Sequence, residues 1–317
     1  MSRTARVILN PTSGGGRGRR AGRAILVGLE HRGISAGLIS TTAPREAERL
    51  AAEAADAGLD MVIAAGGDGT VHEVAQGLLS ARAAKGDPTV REGDFPALGV
   101  LPIGTGNDFA KLIGPLDDLD ASLDVVAGGA LRWLDACRAT WPGATHWFVN
   151  AGGTGIDVEV VRQLLRGRLG TGVLTYVAAL LRALVRYKAI PLRIRMDDHV
   201  TEVETMIVAA GNGRSVGGGF WLTPDAEPDD GRFDICIVKR TSYLESLRVL
   251  PLILRGKHAK HPKVEMHRAK RVEIEALGPD PLFFQLDGEL HEPPDARSLI
   301  FELVSGALPV LSDPEVT

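Results

Sequence analysis

Short apolar runs, each followed by a glycine-rich turn and an amphipathic stretch, set the rhythm of the first third of the chain. Arg6-Val-Ile-Leu9 has strand length, Asn10 to Gly16 reads as a turn, and Arg19 to His31 as a helix ending near Gly33. The unit recurs as Ile34 to Ser40 with Pro44 to Ala57, and as Asp60 to Ala65 with Thr70 to Ala83. After a polar loop it returns as Ala97 to Pro102, the turn Ile103-Gly-Thr-Gly-Asn-Asp108 and another helix. Strands alternating with helices predict an α/β, doubly wound parallel sheet. Ligands on such sheets sit at the carboxyl ends of the strands, where all three glycine-rich turns fall.

Beyond Asp120 the pattern changes. From Trp133 onward β-like segments dominate: Trp133 to Ala139, His146 to Asn150, Leu192 to Met196, Thr205 to Ala210, Arg232 to Val238, Val272 to Ala276, Leu282 to Leu286 and Ser298 to Leu303. Helical insertions fall near 157 to 187 and 242 to 255. This predicts a second, mainly antiparallel β domain, with a boundary near 130 and a cleft between the two.

The turn Gly66-Gly67-Asp68-Gly69-Thr70 carries the first chemistry. Residues with little side-chain bulk at a strand end let backbone N–H groups approach an anion, and the following helix adds its N-terminal dipole. Thr70-Val-His-Glu73 also satisfies the capping-box spacing, which is compatible with a phosphate site. A Walker A string is absent. Gly16-Arg-Gly18-Arg-Arg-Ala21 matches a dinucleotide pattern, but the strand ending Ile39-Ser40-Thr41-Thr42 lacks the acidic ribose partner, which disfavours a dinucleotide oxidoreductase.

Length and charge narrow the picture further. A chain of 317 residues fits two domains. Two cysteines, Cys137 and Cys236, form no disulfide framework or thiolate metal pattern, and the N-terminal apolar run Val7-Ile8-Leu9 is too short for a signal peptide. A cytoplasmic protein is the expectation. The net charge is −4, yet residues 162 to 195 hold eight Arg/Lys and no Asp/Glu, and residues 239 to 271 hold ten Arg/Lys against Glu245 and Glu265. Within the first stretch Val173 to Tyr187 has apolar residues at 173, 177, 180, 181 and 184, with Arg182 and Arg186 elsewhere on the wheel. One reading is a core-facing helix with a solvated basic face; the other rests that face on anionic lipid headgroups. Nucleic acid is not expected, because aromatics are 5% and no recognition motif occurs. His258 and His261 read as part of the basic surface, and Phe220 and Trp221 as core residues or the lining of an acyl pocket.

Three strings, Asn10-Pro-Thr-Ser-Gly14, Gly66-Gly-Asp-Gly-Thr70 and Pro102-Ile-Gly-Thr-Gly-Asn-Asp-Phe-Ala110, together resemble the diacylglycerol kinase catalytic-domain family, which includes YegS-like and sphingosine-type lipid kinases. The resemblance continues through Phe148 to Asp157, Pro224 to Gly231 and Leu286-Asp-Gly-Glu289, and so covers about residues 5 to 305. It implies a nucleotide-binding α/β domain over 1–130 and a β-sandwich acceptor domain over 131–303, with the tail 304–317 packing back on the first. It implies ATP and Mg²⁺ as cofactors and a lipid hydroxyl, most simply that of diacylglycerol, as the acceptor; a sphingoid base, a glycolipid, a soluble metabolite or a non-catalytic binding role stay open. ATP contacts carry over to Asn10, Pro11, Thr12, Ser13, Gly14, Thr41, Gly66, Gly67, Asp68, Gly69, Thr70, Val71, His72, Glu73 and Thr105. Asp68 would act through Mg²⁺ or order the turn. Asp287 or Glu289 would take the proton of the attacking hydroxyl, although Asp287-Gly288 is equally a hairpin-turn signal. A second Mg²⁺ would sit at Asp230 with the carbonyls of Glu227 and Arg232. Peripheral contact with the inner face of an anionic membrane suits the family, and a homodimer is open.

Overall fold

The computed structural model describes residues 3–87, 89, 95–116, 118–166 and 173–316. Residues 167–172 of the basic stretch, and 88 and 90–94 of the polar loop, lie outside the described residues. The chain divides into two compact units, Met1–Ala136 with Val304–Thr317, and Cys137–Leu303.

The first unit repeats strand and helix: β1 (Arg3–Leu9), α1 (Ser13–His31), β2 (Ile34–Ser40), α2 (Glu46–Asp56), β3 (Met61–Gly66), α3 (Asp68–Lys85), β4 (Ala97–Pro102) and α4 (Leu119–Gly128). Its strands order as β2-β1-β3-β4 and are all parallel. Alternate residues explain the two-sided burial. Ala5, Val7 and Leu9, with Met61, Ile63 and Ala65, join Ile25 and Leu29 of α1 and Leu123 and Val126 of α4 in one core. Ile8, Val62 and Ala64 are equally buried, and α2 and α3 pack against each other and against this sheet. Each fully buried Ile or Leu contributes roughly 1.5–3 kcal/mol, so a polar substitution at Ile63 would break the layer.

The chain leaves through β5 (Ala130–Trp141) and the second unit follows: β6 (Ala144–Phe148), β7 (Ala151–Gly155), α5 (Ile156–Arg166), α6 (Val173–Arg186), β8 (Ile190–Met196), β9 (His199–Gly211), β10 (Phe233–Lys239), α7 (Tyr243–Ile253), β11 (Val264–Ala269), β12 (Arg271–Ala276), β13 (Phe284–Leu286), β14 (Glu289–His291) and β15 (Ser298–Ser312). The order β14-β13-β7-β9-β8-β12-β15 is antiparallel throughout. β10 pairs with β9 and β11, and β5 makes a hairpin with β6. Phe148 stacks on Phe233 and meets Phe301 edge-on, the aromatic centre of the sandwich core. The second half of β15 returns to the first unit, where Val310 pairs parallel with Leu98 of β4 and the Gly306 N–H donates to buried Asp135 at 2.8 Å.

Strands β9 and β15 run longer than the apolar runs that predict them, β13 is shorter, and β7, β11 and β14 are not separately predicted. His258 is buried rather than on a basic surface. Burial holds its imidazole below the ordinary range, and its Nε2 lies 3.0 Å from the Leu222 carbonyl oxygen. Helices α5, α6 and α7 enclose a narrow apolar cavity of about 70 Å³, with Tyr176, Leu180, Leu184 and Phe220 in its wall. Phe220 therefore both packs and lines space, while Trp221 is 37% exposed.

Candidate active site

In the first unit the three glycine turns follow β1, β3 and β4, which are neighbours in the sheet. Asn10 organises the first. Its Oδ1 accepts from the Thr12 N–H at 3.0 Å and the Thr12 hydroxyl at 2.8 Å, an Asx turn, and its Nδ2 donates to Thr70 Oγ1 at 3.3 Å. Gly14, Gly15 and Gly16 then hold φ of 59°, 68° and 90°, a left-handed run that side chains resist. The regular helix of α1 starts beyond them. A shallow recess opens here between Thr12, Gly15, Gly16, Arg19 and Arg20.

The second turn is bonded to the third. The Ile103 and Gly104 N–H groups donate to the Gly66 carbonyl at 2.8 and 3.1 Å. Gly66 must lack a side chain, since a Cβ there would lie 2.2 Å from Thr70 Oγ1. Arg17, which no motif marked, closes the set: its Nη2 donates to the carbonyls of Ile103 at 2.9 Å and Gly104 at 3.0 Å, and its Nε to that of Gly14 at 3.2 Å. Hydrogen bonds from a charged donor are worth about 1.5–3 kcal/mol each. Thr41 completes the rim, its N–H donating to the Leu9 carbonyl at 2.9 Å. The turns after β1, β2, β3 and β4, which carry most of the residues read as nucleotide contacts, thus meet at one end of one sheet. Thr105 stands exposed on the third turn.

The capping box is not formed. Helix α3 starts at Asp68 with Gly67 as its N-cap, so Thr70 is already the third helical residue. Glu73 instead accepts from the Ala47 N–H of α2 at 3.1 Å, and Val71 and His72 are buried in the body of the unit. What faces the turn is the positive end of the α3 dipole.

Asp68 sits there, half-buried, its Oδ1 accepting from the Phe109 N–H at 3.2 Å. Burial, and then the neighbouring Asp108 carboxylate, push it from the ordinary 3.8 up to about 6. Asp108 is itself held by Lys111 Nζ at 2.6 Å. Two neighbouring carboxylates, Asp68 and Asp108, fit a divalent cation that also takes phosphate oxygens and water.

In the second unit, β13 and β14 form a hairpin whose two-residue turn is Asp287-Gly288, with φ of 49° and 86°. Both positive values are the type I′ requirement. The hairpin-turn reading of Asp287-Gly288 therefore holds. The two carboxylates differ, however. Asp287 Oδ1 accepts from the N–H groups of Asn150 and Ala151, and Oδ2 from that of Val149, all at 2.9 Å. It clamps the link between β6 and β7. Glu289 lies just past the turn, paired with Leu286 and partly exposed.

The Asp230 loop is closed by another group. Asp230 Oδ1 accepts from the Arg232 N–H at 3.0 Å, and Oδ2 is ion-paired with Arg268. Glu227 is exposed beside it. A guanidinium already occupies Asp230, so Asp230, Glu227 and Arg232 as placed do not fit a second metal ion. Among the described residues no three of His, Cys, Asp and Glu gather around such a site.

Comparison with known proteins agrees with this layout. Residues 4–139 match the family described as diacylglycerol kinase catalytic domain, and residues 151–312 the YegS C-terminal NAD kinase beta sandwich-like domain. A diacylglycerol kinase of Staphylococcus saprophyticus is 31% identical over 293 residues, 91% of this chain and 90% of its own. One from Staphylococcus aureus is 33% identical, covering 91% of this chain and 87% of that one. Two crystal structures from Bacillus anthracis share the fold, with TM-scores of 0.78 and 0.71 at 24% and 22% identity; both cover 100% of this chain, and it covers 97% and 98% of theirs. The second is titled a diacylglycerol kinase. With both halves matched and relatives alike over nine-tenths of its length, the chain belongs to the diacylglycerol kinase family of phosphotransferases.

Proposed function

We propose that this chain is an ATP- and Mg²⁺-dependent lipid kinase that phosphorylates the hydroxyl of diacylglycerol to give phosphatidic acid. The observation that carries the reading is the division of labour between its carboxylates. The three glycine turns and the α3 dipole accept the phosphates of ATP. Asp68, beside Asp108, would hold Mg²⁺, which when bound neutralises the phosphate charge. Asp287 is occupied by three backbone N–H groups, which fix it as a brace for the turn rather than turning it toward a substrate. Glu289 is then the general base toward the acceptor hydroxyl. Transfer relies on positioning and electrostatics rather than covalent chemistry.

The cavity beneath α5, α6 and α7 has the apolar lining an acyl chain needs, and at about 70 Å³ it would have to widen to admit one. A screen with ATP and Mg²⁺ against diacylglycerol, a sphingoid base, a glycolipid and glycerol tests this. Phosphatidic acid as the dominant product is expected; faster turnover of a soluble alcohol would overturn the acceptor assignment.

Membrane presentation is the second part of the reading. No helix among the described residues is long and apolar enough to cross a membrane. Helix α6 instead turns Leu174, 86% exposed, and Val185 outward, along with Arg182 and Arg186. Leu244 of α7 is exposed as well. Apolar side chains flanked by cations suit insertion at an anionic interface, where each Arg contributes about 1 kcal/mol. Arg182→Glu with Arg186→Glu is expected to weaken co-sedimentation with phosphatidylglycerol vesicles by more than tenfold at 0.1 M salt, an order of magnitude set by that per-charge figure. Unchanged pelleting would place the contact elsewhere.

A further inference from the structure

A buried carboxylate outside the phosphoryl-transfer chemistry is wired to the turn that carries it. Asp157, near the start of α5, is 4% exposed. Its Oδ2 accepts from Gln285 Nε2 at 3.2 Å, and Gln285 Oε1 in turn accepts from the Gly288 N–H at 2.8 Å. Gln285 is buried on β13, opposite Gly153 of β7. A Cβ on Gly153 would meet the Val208 carbonyl oxygen at 2.5 Å and Asp157 Oδ2 at 3.2 Å, so the glycine is required by the close approach of β9 and also keeps space beside that carboxylate.

The rest of α5 grips the same hairpin from both ends. Arg162 donates from Nε to Glu292 at 2.8 Å, just past β14, and its guanidinium lies 5.5 Å over the ring of Phe283, just before β13. Asp157 Oδ1 has no hydrogen-bond partner among the described residues, and Asp157 lies in the wall of the apolar cavity. Burial raises this carboxyl to about 6. A half-satisfied acid in an apolar wall costs stability relative to a hydrophobic residue of similar size. Its return is geometric, because it fixes one face of the Gln285 amide and so decides which atom meets Gly288.

We propose that Asp157 and Gln285 are positioning residues, a relay through which α5 fixes the Gly288 amide and with it the reach of Glu289 toward the acceptor hydroxyl. The inference rests on Glu289 being the base.

Steady-state kinetics on the full chain with ATP, Mg²⁺ and diacylglycerol in mixed micelles test it, with Glu289→Gln assayed alongside. Gln285→Met removes both bonds at similar volume and is expected to lower kcat about tenfold, the worth of one buried hydrogen bond, with little change in the KM for ATP. Asp157→Leu should lose a similar factor. Asp157→Asn should recover most of that loss, since the carboxamide oxygen can replace Asp157 Oδ2 as the acceptor for Gln285 Nε2. The double variant Gln285→Met/Asp157→Leu should fall no further than either single, because partners in one network are not additive. Wild-type kcat in Gln285→Met, or losses that multiply in the double variant, would overturn the relay. If Gln285→Met does not fold, the same decision falls to Asp157→Asn against Asp157→Leu: equal kcat in those two overturns it. Full turnover in Glu289→Gln overturns the base assignment instead, so the two failures are told apart.

Discussion

Replacing Glu289 with Gln is expected to cut kcat by roughly 10²–10⁴-fold, the usual worth of a positioned general base. The thermal midpoint should stay near that of the wild type, because Glu289 is partly exposed beyond the hairpin turn. Asp287→Asn should fail in the opposite way. Its carboxylate accepts three N–H bonds at 2.9 Å, two on Oδ1 and one on Oδ2. An amide presents an NH₂ group to at least one of those donors, leaving a part-buried N–H unsatisfied at a cost of about 1–3 kcal/mol. Loss of stability, with activity falling as a consequence of a loosened turn, is therefore its expected signature. Parallel kinetics and calorimetry on the two variants separate them. A Glu289→Gln enzyme with high kcat, beside an Asp287→Asn enzyme of normal stability and no activity, would exchange the two roles.

How much of this was legible beforehand differs by level. The parallel sheet was open to reading because β1, β3 and β4 are short apolar runs each followed by a glycine-rich turn, and β2 and β4 begin and end at the residues expected from those runs. The Asp287-Gly288 turn was legible for a similar reason, since a two-residue loop needing positive φ twice restricts the residues that can fill it. Other features depend on partners distant in the chain. Local spacing assigned Glu73 to a capping box on α3, but it serves the Ala47 amide of α2. Asp230 resembled a cation ligand until Arg268, 38 positions on, took that place. Arg17 sits among arginines and only the folded sheet reveals which carbonyls it holds. Strand β7, Ala151–Gly155, contains three glycines and has no apolar alternation to announce it. The relay from Asp157 to Gly288 links groups more than 100 residues apart, across a register that no pattern along the chain encodes.

Asp68→Asn is expected to inactivate the enzyme and stabilise the protein. The folded-state pKa of Asp68 is raised from 3.8 to about 6, first by burial and then by Asp108. A raised carboxyl binds its proton more tightly folded than unfolded. Between pH about 4 and about 6 the unfolded chain therefore holds fewer protons, and stability falls as pH rises through that window. Above it the ionised Asp68 costs on the order of 2 kcal/mol, a figure already reduced for its partial exposure. Asn keeps an oxygen for the Phe109 N–H, now at 3.2 Å, and removes the repulsion with Asp108. The unit that holds Asp68 should thus melt about 4–8 °C higher than in the wild type at pH 7.5, taking 2–4 °C per kcal/mol for a unit of roughly 150 residues. At pH 4 the gap should close. Mg²⁺ with ATP should reverse the order, since ligand at 100 times Kd adds about 2.7 kcal/mol to whichever protein binds it. Scanning calorimetry at the two pH values, with and without Mg²⁺ and ATP, reads all of this from two proteins. An Asn variant that melts lower at pH 7.5, or gains as much from Mg²⁺ and ATP as the wild type, would remove Asp68 from the metal-binding role and leave it as a brace for the turn.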